Sequence, residues 1–271
     1  MSKTITLGIA GIAVAFAMLA SGYLAGRHQP AVAGGDPQVI AANQGTTNRL
    51  AVEEIVRDYL LKNPEILLEV QQALQDRQEE QQRVASLDTI NQARENIFRA
   101  DHDGVVGNPD GKITIVEFYD YNCGFCKRAQ EDMVELTNSN PDLRFVLKEF
   151  PILGPDSQKA HVVSMAFRKL MPDKFRAFHD KLLVGSGRAT EDTAIRIAVS
   201  LGADEAALRE GMKDPAIGRA FEETYELANR LAITGTPSYV VGNEVVFGAL
   251  GKDVLSEKIA AATAACTGSV C

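Results

Sequence analysis

The fold class the sequence predicts is α/β: a domain carrying a block of inserted helices and preceded by a helical oligomerisation stalk. Three observations point to it. Residues 113–119 form a strand-length run of β-branched and aromatic side chains, followed by a helix-compatible stretch at 123–136 and a second run at 143–150. Residues 238–241 and 245–248, joined through Gly242-Asn243, read as a hairpin, and 252–265 as a closing helix. Ahead of both, residues 49–104 repeat apolar positions at helical spacing with polar flanks.

Composition narrows the function. Hydrophobic residues make up 45% and charged residues 24%, the balance of a globular chain. Lys plus Arg number 28 against 36 Asp plus Glu, a net charge of -8, which argues against nucleic-acid binding because phosphate neutralisation needs a basic excess. Four cysteines are too few for a disulfide scaffold in a chain of 271 residues, so they call for a chemical explanation.

In chain order, the first element is the uncharged run from Thr4 to Gly26, between Lys3 and Arg27. Roughly 20 apolar residues cross a bilayer as a helix. Segment 1–26 therefore reads either as an uncleaved membrane anchor or as a signal peptide with Ala31-Val32-Ala33 as cleavage site. Both readings export the remainder, placing it in the periplasm or cell envelope, where dithiols are oxidised. Residues 27–48, rich in Gly, Ala, Gln, Asn and Pro, are expected to be a flexible linker.

Within 49–104, Val52, Ile55, Val56, Tyr59 and Leu60 share one helical face. Asn63-Pro64-Glu65 then supplies an N-cap, a first-turn proline and an acid for a second helix, whose stripe continues through Leu67, Val70, Leu74, Val84, Leu87, Ile90 and Ile97. So thin a seam cannot bury itself. It packs against copies of the chain or back on its own domain, and self-association is the sharper expectation. The domain proper is placed at 105–265, with several short helices inserted at about 156–230 and interruptions at Pro172, Gly185, Gly187, Gly202 and Pro215. Residues 266–271 form a C-terminal tail.

The chemistry lies where the first strand gives way to a helix, at Cys123-Gly124-Phe125-Cys126. Two intervening residues in a first helical turn bring the sulfurs within bonding reach, and the free N–H groups and partial positive charge of the helix start favour a thiolate. Cys123 is therefore the expected nucleophile, and Cys126, one turn in and more buried, the resolving thiol. A zinc site built with Cys266 and Cys271 is the bland alternative; it is disfavoured because that second pair sits in the small-residue tail.

The run Glu117-Phe118-Tyr119-Asp120-Tyr121-Asn122-Cys123-Gly124-Phe125-Cys126, with Thr236-Pro237 far downstream, resembles the DsbA family of thioredoxin-fold thiol-disulfide oxidoreductases over about residues 105–265. Residues 54–67 resemble the stalk of the suppressor-of-copper-sensitivity protein C group, whose members can trimerise through that region. The resemblance implies a thioredoxin fold and two further roles. Glu117 would lie under the active-site helix with a raised pKa and accept the proton of Cys126. Pro237 would be a cis-proline facing the cysteines, with Thr236 offering its backbone to substrate and Gly124 and Phe125 completing the substrate-binding surface.

Cys266 and Cys271 read as a possible structural disulfide, His161 and His179 as surface or satisfied core histidines, and His102 as part of a polar linker. The expected activity is thiol-disulfide exchange on unfolded or misdisulfided proteins, with no cofactor or metal, a membrane redox partner, and a homo-oligomer, a trimer by resemblance. Gly124 and Phe125 put no positive charge beside the thiolate, so the disulfide is expected to be less oxidising. An oligomer would hold a misfolded chain among several sites, and both points favour isomerase over oxidase. A copper-binding thiol protein of the envelope is the rival from another class.

Overall fold

The computed structural model describes residues 38–265. Helices α1 (Gln38–Lys62), α2 (Glu65–Gln92) and α3 (Arg94–Phe98) precede strands β1 (Gly104–Gly107) and β2 (Ile113–Tyr119). Helix α4 (Gly124–Ser139) and strand β3 (Leu143–Glu149) complete a β-α-β unit. The insert follows as α5 (Pro155–Leu170), a short 3-10 turn, α6 (Phe175–Val184), α7 (Glu191–Ser200), α8 (Glu205–Gly211) and α9 (Pro215–Arg230). Strands β4 (Ser238–Val241) and β5 (Glu244–Phe247) and helix α10 (Lys252–Ala265) close the domain.

The five strands lie in the order β1-β3-β2-β4-β5, with β2 and β3 parallel and every other neighbour antiparallel. Alternation along each strand divides the core in two, since successive side chains leave opposite faces. Ile115, Tyr119, Phe145, Leu147, Tyr239 and Val241 join a core that includes Cys126, Met133 and Leu255. Val116, Phe118, Val146 and Val240 face the other way, onto Ile97, Phe98, Leu227 and Leu231. Helices therefore cover both faces. The breaks expected in the insert are helix boundaries: Pro172 opens the 3-10 turn, Gly185 caps α6, and Pro215 sits in the first turn of α9.

Three expectations need correction. The linker expected at 27–48 is helical from Gln38, because residues 38–44 hold no glycine or proline and Gln, Ala and Ile tolerate a helix. The boundary expected near 104 does not separate the compact units, which divide between Val70 and Gln71. The single stripe from Val52 to Ile97 has two fates. Val52, Ile55, Val56, Tyr59, Leu67 and Val70 are exposed, whereas Ile90 and Ile97 are buried in the core beneath Val116 and Phe118. Helical spacing states which side chains share a face, not what covers them. Lys148, buried in β3, fixes the end of this segment by donating to the Asn96 carbonyl at 2.7 Å and to Asp103 at 2.6 Å.

Among the described residues no helix is long and apolar enough to cross a membrane. The expected anchor or signal at 1–26, and the pair Cys266 and Cys271, lie outside the described residues.

Candidate active site

Strand β2 ends at Tyr119, and a four-residue turn delivers Cys123 as the N-cap of α4 in extended conformation (φ -79°, ψ 115°). Its Sγ accepts the Cys126 N–H at 3.5 Å, and its own N–H donates to the Asp120 carbonyl at 2.9 Å. Across the site, the Thr236–Pro237 peptide bond is cis, as the resemblance implies, and the Cys123 thiol reaches the Thr236 carbonyl at 3.0 Å. The structure brings Cys123 and Cys126, and the Glu117, Thr236 and Pro237 that the resemblance singles out, together around one helix start.

The two thiols are in opposite electrostatic settings. Interaction with Cys126 is the main cause that holds the Cys123 thiol down to about 5, helped by Thr236 and the N–H groups of Cys126 and Phe125 against the cost of burial. Cys126 has no exposed surface; burial, then Cys123, then the Glu117 carboxyl push its thiol far above its ordinary range. At neutral pH one sulfur is a thiolate and the other keeps its proton.

Glu117 occupies the central strand, paired with Leu147 on β3 and Tyr239 on β4. It shares its face with Ile115 and Tyr119, the face that α4 covers. Burial first, and the negative charge of Cys123 second, push its carboxyl up to about 8. It is a buried acid poised to exchange a proton near neutrality.

Gly124 and Phe125 face outward. A Cβ at Gly124 would meet nothing within 4 Å, and Phe125 is 57% exposed with the Arg128 guanidinium 4.3 Å from its ring centre. The Gly248 N–H donates to the Pro237 carbonyl at 2.9 Å, tying the cis-proline to the end of β5.

A model of the DSBA-like thioredoxin domain matches residues 114–260, more than half of the chain. The chain belongs to the DsbA-like family. Ahead of this domain, residues 49–81 match the N-terminal domain of the copper resistance protein ScsC. The DsbA-like fold has solved counterparts. A thioredoxin-like oxidoreductase from Silicibacter pomeroyi is 36% identical with a TM-score of 0.61, the match covering 64% of this chain and 99% of that one. BcfH of Salmonella enterica Typhimurium is 27% identical with a TM-score of 0.69, over 82% of this chain and 99% of that one. Disulfide bond formation protein D of Bacillus subtilis is 25% identical over 57% of this chain and 74% of its own length. The chain spans 25% of the length of the Na(+)/H(+) antiporters NhaA of Salinispora tropica and Salinispora arenicola, which it also matches.

Sequence reasoning missed the residues that hold the turn. Asp120 accepts the Asn122 and Leu153 N–H groups, and the Asn122 side chain exchanges two hydrogen bonds with the Ala189 backbone. Lys127 donates to the carbonyls of Gly185 and Gly187. His161 and His179 are both core residues rather than surface ones. The one available signal was Ser157, His161 and Ser164 at positions i, i+4 and i+7 of a predicted helix, a polar stripe where an apolar one is the rule.

Proposed function

We propose that this chain is a thiol-disulfide oxidoreductase of protein substrates in the cell envelope, working as an isomerase and reductase. The observation that carries the exchange reading is the opposite ionisation of two thiols at one helix start, with a titrating carboxyl beneath them. The isomerase direction draws on the stalk alone, because a Cys123 thiol held down to about 5 stabilises the reduced form and makes the disulfide more oxidising than the uncharged Gly124-Phe125 pair implied. The Cys123 thiolate attacks one sulfur of a substrate disulfide and expels the other as a thiolate, forming a mixed disulfide. A second substrate thiolate can then displace Cys123, which moves the bridge within the substrate. Alternatively Glu117 takes the Cys126 proton, and the new thiolate attacks Cys123 Sγ, releasing reduced substrate and leaving the Cys123–Cys126 disulfide. Run backwards, the same steps donate a disulfide, and a membrane redox partner resets the pair. Thr236, Pro237, Gly124 and Phe125 border the thiolate and present backbone and apolar surface to an extended chain.

The exposed apolar side chains between Leu50 and Val70 support self-association through the first compact unit, and the resemblance of this segment to the ScsC stalk supports a trimer. Several sites on one assembly favour reshuffling over single oxidation. The test is refolding of scrambled ribonuclease by the full chain and by residues 71–271. Rescue by the full chain that falls in the shorter form, with insulin reduction retained, supports the reading; rapid oxidation of reduced ribonuclease without rescue of the scrambled form overturns it.

A second reading, Cu(I) binding by the two thiols, draws on the match to a domain named for copper resistance. Stoichiometric copper uptake with no insulin turnover would favour it.

A further inference from the structure

Helix α5 turns Ser157, His161 and Ser164 to one face, and all three are 0% exposed. Every one of them ends on the turn that leads to Cys123. Ser157 Oγ donates to Asp120 Oδ1 at 2.8 Å and accepts from Asn122 Nδ2 at 2.9 Å. His161 Nε2 accepts the Tyr121 backbone N–H at 3.2 Å. Ser164 Oγ lies 2.8 Å from the Tyr121 hydroxyl.

The proton positions follow from the partners. A backbone amide only donates, so Nε2 of His161 carries a lone pair and the ring proton sits on Nδ1, which faces the Glu149 carboxylate. Ser164 donates to the other Glu149 oxygen at 2.7 Å, so it takes the Tyr121 hydroxyl proton as an acceptor. A closed ring results: Tyr121 N–H, His161, Glu149, Ser164 and back to the Tyr121 hydroxyl. Breaking it at His161 orphans a buried amide two residues before the nucleophile, at a cost of about 1–3 kcal/mol unless the peptide rotates. Rotation there moves Cys123, whose own N–H is held by Asp120.

We propose that His161 and Ser157 are positioning residues for the exchange reaction: by gripping Asp120, Tyr121 and Asn122 they fix where Cys123 Sγ lies against the Cys126 N–H and Thr236. This rests on the exchange reading above. The steps written there use none of the α5 residues, so the helical insert acquires a part in the chemistry and is more than a cover for the sheet.

The test is the pH profile of Cys123 alkylation by iodoacetamide in the reduced full chain, with insulin reduction measured in parallel. His161→Ala is expected to raise the alkylation midpoint by about half a unit to one unit, a threefold to tenfold loss of thiolate at acid pH. His161→Gln restores it, because the Gln carbonyl accepts the Tyr121 N–H while its amide serves Glu149. Tyr119→Phe removes a hydroxyl that donates to Tyr121 in the same buried cluster without touching the turn's main chain; it should lower the melting temperature and leave the midpoint in place. Ser157→Ala should shift the midpoint in the same direction as His161→Ala and decides the matter if that variant does not fold. An unmoved midpoint in folded His161→Ala or Ser157→Ala, or an equal shift in Tyr119→Phe, overturns the proposal. A wild-type chain that alkylates at acid pH yet never reduces insulin defeats the exchange reading instead, and the midpoints still decide the positioning role.

Discussion

A thiol held down to about 5 and a carboxyl pushed up to about 8 give the reduced protein two opposed pH responses. Cys123 has a folded value below its ordinary 9.0, so the stability it contributes is present above pH 9 and is lost as pH falls toward 5. Glu117 has a folded value above its ordinary 4.5, so its contribution is present below that pH and is lost as pH rises through 8. Alkylation of Cys123 in the reduced chain should therefore be half-maximal near pH 5 while Cys126 stays nearly inert; equal rates for the two thiols would defeat the assignment. Replacing Glu117 by Gln removes the titration and the proton acceptor together. Melting at pH 8 should show about 1–3 kcal/mol of added stability, and single-turnover release of substrate from the mixed disulfide should slow by about 10-fold to 100-fold. A variant that resolves the mixed disulfide at the wild-type rate removes Glu117 from the mechanism. Cys123 and Cys126 were legible because two cysteines at a strand-to-helix junction state their own chemistry. His161 was not, since its partners Glu149 and Tyr121 sit on other elements and only the folded sheet brings them to it.

Short local signals decided which elements could be read from the chain. Strand β2 announced itself by six strand-forming residues out of seven, but β1 offers only Val105 and Val106 between two glycines. Gly104 is demanded by Phe175, whose ring would lie 2.3 Å from a Cβ there, and that residue belongs to the insert. The same limit governs α2 and α3, where periodicity found the apolar face and only packing shows that Ile90, Ile97 and Phe98 close the second core. Ile97→Ala should accordingly destabilise the domain by about 2–4 kcal/mol, read as a lowered urea midpoint. Cutting the chain also distinguishes the two fates of the stripe. Removal of residues 1–70 should leave a soluble, redox-active domain, whereas removal of 1–100 strips Ile90, Ala93, Ile97 and Phe98 from the core they share with Val116, Phe118 and Val146 and should yield aggregate. A well-behaved 101–271 fragment would show that this cover is dispensable.

For the whole molecule, light scattering should find the full chain oligomeric at micromolar concentration and residues 71–271 monomeric, since exposed Val52, Ile55, Val56 and Tyr59 are left to a partner while the domain closes its own cores. A monomeric full chain would remove the stalk from the argument and with it the case for isomerisation. The fold class was visible because the β-α-β opening and the hairpin-helix ending frame the sheet; the way the base of the stalk joins that sheet was not, as Lys148, Asn96 and Asp103 meet only in three dimensions. The aromatic cluster beside the nucleophile has an optical consequence. The chain contains no tryptophan, and the rings of Tyr119 and Tyr121 are fixed edge to face at 5.1 Å inside the core. With buried Tyr239 they dominate the tyrosine band, so the part of the near-ultraviolet dichroism that Tyr119→Phe removes is an intrinsic label for the active-site turn, and its loss on heating can be compared with the far-ultraviolet helix signal of the rest of the molecule.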